Sequence, residues 1–340
     1  MNTQLWHRPA TIERNHFKFK SLSCWAYNVA VGCGHACRFC YVPAVTGKGA
    51  TATAMKKLGV QDPDAEWGEY VFPRKWDKGV FMTSLRAAER TPASELNPDG
   101  NRAVMLCTTT DPYQTVSSRN GTHGTDGTNE QLDHLVREAL GLMCWGPMNG
   151  CEPLNVRILT RSPLARRDFP LMKQFGKRLL FGMSIPTLNN RLAKIYEPRA
   201  PAPSQRLKTL RLAKEAGLNV FVAVAPVYPE CDAADMKETL QAVMQLEPVT
   251  VFMEPINVRA ENVARLKAAG ADTSVFSTHE AWKEYALRQL LLFERVAYDL
   301  RVPDNVLHLW PDPGLCTKQT PPDIRNWLHK QWSKISRWPT

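Results

Sequence analysis

The sequence predicts an α/β fold built on a parallel sheet. Short unbroken apolar runs read as strands buried on both faces, and segments with one apolar helical face fall between them. Strand, helix and strand at this cadence argue for βαβ units. About six such units fit, fewer than the eight of a closed barrel.

The first strand covers Leu22–Ala30, just before a cysteine-rich loop. Arg102–Thr109, Asn155–Thr160, Leu179–Ser184, Asn219–Ala225 and Thr250–Met253 supply the next five. In the first intervening helix Leu132, Leu135, Val136, Ala139, Leu140 and Met143 recur at helical spacing, and Thr128 with Gln131 offers a capping box. Ser204 opens another helix, with Leu207, Leu210 and Ala213 on one side and Gly217 as its stop signal. Residues 232–246 and 259–269 read as two more.

Two stretches interrupt the alternation. Residues 60–100, rich in Pro, Trp and charge, read as an insertion, and 115–129 as a mobile loop without apolar periodicity. After residue 275 the pattern turns helical, over 278–300 and 322–335. The resulting plan is an extension at 1–20, an α/β unit at 21–275, and a helical C-terminal extension at 276–340.

A chain of 340 residues, 44% hydrophobic, can bury a large core. It has no apolar run of the roughly 18 residues a membrane span needs, and its N-terminus does not read as a signal peptide. Nine cysteines, three crowded into one loop, suit metal binding in a reducing compartment rather than a disulfide framework. The expected location is the cytoplasm. A net charge of +10 favours a polyanionic partner such as nucleic acid only slightly, because no Lys/Arg run exceeds two residues.

The most informative motif is Cys33-Gly34-His35-Ala36-Cys37-Arg38-Phe39-Cys40-Tyr41. A [4Fe–4S] cluster usually takes four thiolates, so three in one loop would leave an iron open to a substrate or cofactor. A Cys3His zinc site using His35 is the competing assignment. Ferredoxin-like ligation would need a fourth cysteine continuing to Cys-Pro, and Pro43 follows no cysteine.

Parallel α/β folds gather functional groups at the carboxyl ends of strands. Those ends carry Thr110 and Asp111, Arg161, Ser184, Tyr228, and Glu254 with Asn257. Ordinary turn chemistry accounts for any one of them; five in register with the cysteine loop point to a shared site. The cysteine loop resembles that of the radical S-adenosylmethionine (SAM) superfamily, which implies SAM at this site; Asp111 or Thr110 can then accept from its amino group, and Arg161 can pair with its carboxylate through two parallel hydrogen bonds. Ser184 can bond the ribose or carboxylate, and Tyr41 offers an aromatic surface beside the adenine. Tyr228 completes the candidate cofactor set.

With the cysteine loop, TTTDPYQ at 108–114, LTRSPLARRD at 159–168, FGMSIPTLNNRLAKIYEPRAP at 181–201 and VFVAVAPVYP at 220–229, the chain is similar to the spore photoproduct lyase, or DNA repair photolyase-like, branch of that superfamily. The resemblance implies a partial (β/α)6 barrel, here with an N-terminal-half insertion and a helical C-terminal extension. It implies a [4Fe–4S] cluster on Cys33, Cys37 and Cys40, and SAM split to a 5′-deoxyadenosyl radical that abstracts a hydrogen atom from substrate. For the lyase itself it implies repair of a thymine dimer in DNA. A reductant such as flavodoxin or ferredoxin is the implied partner. Arg161 falls where the lyase has a lysine that contacts SAM, and Ser184 on a serine of similar role. Cys107 lies near the position of the lyase's cysteine hydrogen-atom donor, one residue further from Asp111, and a packed strand cysteine is its other assignment. Modification of a protein or small molecule is the alternative activity. A zinc-stabilised nucleic-acid-binding protein is the alternative of another class.

Overall fold

The computed structural model describes residues 1–15, 23–96, 101–116, 127–145, 152–259 and 261–334. The chain opens with β1 (Ile12–Arg14), β2 (Trp25–Tyr27) and β3 (Ala30–Gly32), then passes through the cysteine loop into α1 (Val42–Thr46) and α2 (Gly49–Lys57). Strand β4 (Val71–Pro73) and helix α3 (Lys78–Glu89) follow. The βα alternation then runs β5 (Ala103–Leu106), α4 (Thr128–Cys144), β6 (Asn155–Thr160), α5 (Phe169–Lys173), β7 (Leu179–Ser184), α6 (Asn190–Tyr196) and α7 (Pro203–Glu215). It continues with β8 (Asn219–Val227), α8 (Ala233–Met244), β9 (Thr250–Pro255), α9 (Asn262–Ala268), α10 (His279–Asp299), β10 (Leu307–Leu309) and α11 (Pro322–Ser333).

The main sheet has eight strands in the order β1-β2-β5-β6-β7-β8-β9-β10. Only β1 is antiparallel to its neighbour; the other pairings are parallel. This is the expected α/β architecture with a mostly parallel sheet. Every residue of β7 is buried, as a strand covered on both faces requires. The apolar stripe of α4 is buried along its length.

Three features depart from the expected plan. The run read as one strand over Leu22–Ala30 is two strands in different sheets, of which β3 turns away to pair antiparallel with β4. The break falls at Asn28, whose Oδ1 accepts from Thr108 N and Thr109 N at 2.9 and 3.0 Å and so ties the strand ends together. Both expected extensions also add strands to the main sheet: β1 from the N-terminal segment and β10, beside β9, from the segment read as helical. Three-residue strands are too short to show a period. Finally, Thr128 is the first residue of α4 rather than its cap, which is Gly127 at φ 76°, and Gln131 Nε2 donates to Arg74 O instead. The loop expected to be mobile over 115–129 lies outside the described residues between 117 and 126.

Beneath the carboxyl ends of the strands, Met105, Leu180, Phe221 and Phe252 form an apolar plug, with Leu159 and Trp310 packed against it. Gly182 makes room for it, because a Cβ there would meet the Phe221 ring at 2.5 Å. No helix among the described residues is long and apolar enough to cross a membrane.

Candidate functional site

The cysteine loop leaves β3 at Gly32, whose φ of +93° and approach to Tyr70 O (2.3 Å from an ideal Cβ) admit only glycine. Ala36 takes φ 53° within the loop and packs against Gly68, where an added Cβ would lie 2.3 Å from that of Ala36. The segment expected as an insertion thus walls the loop at Gly68. Trp67 belongs to the same wall and donates from Nε1 to Cys37 O at 3.2 Å.

Cys33, Cys37 and Cys40 are free thiols that open into one cavity of about 660 Å³. Burial pushes each thiol up to about 12, with Asp111 adding to the rise at Cys33 and Cys37 to that at Cys40. At neutral pH they hold their protons, which any metal centre they came to ligate would have to displace. The backbone N–H groups of His35 and Val42 hydrogen-bond the sulfurs of Cys33 and Cys40.

Asp111 organises the opposite lip. Its Oδ1 accepts from Tyr113 N (2.9 Å) and Thr160 Oγ1 (2.7 Å), and its Oδ2 from Arg161 N (2.8 Å). His35 Nε2 stands 3.2 Å from Oδ2. Burial raises this carboxyl, but the His35 charge and these hydrogen bonds prevail and bring it down to about 2. The Thr110 hydroxyl donates to Gly32 O at 2.5 Å and accepts from Gln114 Nε2 at 2.6 Å. Thr110 and Asp111 line the cavity, yet their polar atoms already hold the loop in place. Tyr41 lines it too, with its hydroxyl on Thr108 O at 2.9 Å.

Arg161 enters the cavity from the end of β6, its guanidinium 5.5 Å from the centre of the Phe39 ring. Its Nε donates to Glu197 Oε1 at 2.6 Å, and Arg206 pairs with Oε2 of the same carboxylate. Burial raises the Glu197 carboxyl, but the two flanking guanidiniums hold it below the usual range. Arg206 also donates from Nη1 to Ser184 O at 3.0 Å, which fixes the lip of β7. Ser184 lines the cavity.

Tyr228 does not. It lies behind the wall, its ring stacked on Tyr196 at 3.9 Å and 6.1 Å from that of Phe39. The strand-end rule placed it in the site, but the β8 register shift between Val224 and Val227 leaves Ala225 and Pro226 as the lining residues. Cys107 does line the cavity, with φ 64° and its N–H on Tyr27 O at 2.8 Å.

The far wall comes from β9 and the segment after β10. Glu254 receives Asn257 Nδ2 at 2.6 Å, and Arg259 pairs with Asp312 at 2.6 Å. Trp310 lies against Phe252 with ring centres 4.2 Å apart. All six of these residues border the cavity. Arg259, Trp310 and Asp312 were not among the expected site residues because β10, which carries the last two inward, was not visible. Glu197 had a signal in the EPRAP segment. Arg206 had none beyond a charge on an otherwise apolar helix face.

Residues 27–243 match the radical SAM superfamily domain. The chain is 33% identical over 254 residues to an uncharacterised protein of Acidianus two-tailed virus, covering 72% of this chain and 71% of that protein. It is 27% identical over 202 residues to an uncharacterised protein of Mycobacterium tuberculosis, covering 58% of this chain and 48% of the relative. Spore photoproduct lyase superposes with a TM-score of 0.57 over 91% of this chain and 81% of the lyase, at 14% identity. A form of that lyase with bound AdoMet and dinucleoside spore photoproduct gives the same score at 15% identity. At this identity the likeness is one of fold.

Proposed function

Because the chain belongs to the radical SAM superfamily and is an enzyme of that type, we propose that Cys33, Cys37 and Cys40 hold a [4Fe–4S] cluster whose open iron takes SAM. The carrying observation is that all three thiols of one loop face a single cavity also lined by Arg161, Ser184 and Tyr41. The donor set fits. Three thiols of one short loop line the cavity together, and thiolates are the ligands a [4Fe–4S] cluster takes. His35, the fourth ligand of a zinc site, is turned to Asp111 instead.

When bound, the cluster supplies the electron that splits SAM to a 5′-deoxyadenosyl radical, which abstracts a hydrogen atom from substrate. The protein's part is to bind, orient and exclude water. Arg161, steadied by Glu197, presents its guanidinium to a carboxylate. Ser184 offers a hydroxyl beside it, and Tyr41 an aromatic edge. Thr110 and Asp111 fix the geometry of the loop. Cys107, in the cavity wall, is the candidate hydrogen-atom donor to the substrate radical. A nucleic acid is the substrate class we put first, supported by the +10 charge and by the Trp310–Phe252 wall with Arg259 at its rim. A flavodoxin or ferredoxin is the proposed reductant, and the cytoplasm the proposed location, in keeping with eight free thiols among the described residues.

Anaerobically reconstituted protein with SAM and dithionite should form 5′-deoxyadenosine, and Cys37→Ala should abolish it. Persistence of the nucleoside in Cys37→Ala would sink the assignment. Cys107→Ala should retain SAM cleavage and alter the fate of the substrate.

A further inference from the structure

The carbonyls of Cys37, Arg38, Phe39 and Cys40 are four successive acceptors, and each is met by a side chain from outside the loop. Trp67 Nε1 donates to Cys37 O at 3.2 Å. Arg265 spans the loop, from Nε to Arg38 O at 3.1 Å and from Nη2 to Cys40 O at 2.6 Å. Asn262 Nδ2 donates to Phe39 O between them at 3.1 Å. Arg265 and Asn262 both lie on α9, beyond the residues that match the superfamily.

These donors are themselves held. Asn262 is fully buried, with a second bond to Asn257 O at 2.8 Å, and its Oδ1 accepts Arg259 N at 3.1 Å. Arg265 is ion-paired with Asp64, whose other oxygen accepts Glu261 N at 3.3 Å. Arg265 and Asn262 do not border the cavity. The carbonyls they bind therefore face α9, while N–H groups face the sulfurs of Cys33 and Cys40. Hydrogen bonds and charge around the sulfurs set how strongly a cluster is held and how readily it is reduced. The Arg265 guanidinium, 2.6 Å from Cys40 O, also brings a positive charge beside the Cys40 ligand, and a nearby positive charge favours the more negative, reduced cluster.

We propose that Arg265, with Asn262 and Trp67, forms a clamp of positioning residues that fixes the cluster loop, and that the charge of Arg265 favours the reduced cluster. This rests on Cys33, Cys37 and Cys40 being the cluster ligands.

The test uses the full chain reconstituted with iron and sulfide, as wild type, Arg265→Gln, Arg265→Lys and Trp67→Phe. Melting of each apoprotein first verifies that it folds. Iron loss to a chelator and the reduced-to-oxidised ratio at fixed potential are then followed by electron paramagnetic resonance and absorbance. Arg265→Gln should lose iron roughly tenfold faster, and its ratio should fall about tenfold, equivalent to 59 mV for one electron. Arg265→Lys keeps the charge but cannot span two carbonyls, so it should recover the ratio and not the retention. Trp67→Phe should lower retention alone. Wild-type retention and ratio in folded Arg265→Gln overturn the clamp; if that variant does not fold, wild-type retention in Trp67→Phe overturns it. A wild-type protein that builds no cluster fails earlier, at the ligand assignment, and takes the clamp with it.

Discussion

On the near wall of the cavity, Asp111 accepts from three donors and faces His35, and Glu197 is gripped by two arginines. On the far wall, Arg259 has a side chain 49% exposed and a single carboxylate partner, beside the Trp310–Phe252 pair and Glu254 with Asn257. A wall whose charges are all paired before any ligand arrives presents one geometry, so little ordering remains to be done on binding. A wall whose arginine is half exposed and held by one carboxylate has more freedom to adapt. The near wall lies within the residues that match the superfamily, and the far wall lies beyond them. On the function proposed above, the near wall would hold the cofactor and the far wall would meet the substrate.

The largest expected effect breaks the near wall. Glu197→Ala leaves Arg161 and Arg206 as uncompensated buried charges and should cost about 3–5 kcal/mol. Asp312→Ala on the far wall, which removes one ion pair and a turn cap at Gly314 N, should cost only about 1–2 kcal/mol. Equal losses in denaturant melts of the two variants would contradict the asymmetry.

The next concerns His308, which is buried behind the far wall against Phe252, ring centres 5.6 Å apart. Burial first, then the charges of Lys334 and Arg157, bring its imidazole down from 6.5 to about 4. The unfolded chain therefore binds the extra proton between those values. Stability should be full above pH 6.5 and should fall toward pH 4, by at most about 1.4 kcal/mol per pH unit. His308→Phe should flatten that part of the pH–stability curve; an unchanged slope would refute the assignment.

The smallest effect on stability is expected of Arg259→Gln, below about 1 kcal/mol for a half-exposed arginine. Its signature lies in function: stimulation of 5′-deoxyadenosine formation by substrate should weaken, while substrate-free formation stays at the wild-type level. Equal loss in both assays would place Arg259 on the cofactor side.

Much of the near wall was legible in the chain. The cysteine spacing is local, and Asp111, Arg161 and Ser184 follow apolar runs long enough to read as strands, so their arrival at one cavity follows from parallel topology alone. Tyr228 shows where that rule stops. It also follows an apolar run, but a register shift in β8 turns it away. The segments at 60–100 and after 275 were read as additions to the fold. Gly68 and Trp67 instead press on the cysteine loop, and β10 brings in Trp310. Nothing in a three-residue strand or a single tryptophan carries a periodic signal.

By itself the sequence determined the α/β class, the positions of the central strands along the chain and the three-cysteine loop, because apolar period and motif spacing are properties of neighbouring residues. Only the tertiary structure decided which donors meet the loop's carbonyls, which carboxylate holds Arg161, and which segment closes the far side of the cavity. Those contacts join residues as far apart as Arg38 and Arg265, and a hydrogen bond across such a separation exists only once the intervening chain has packed.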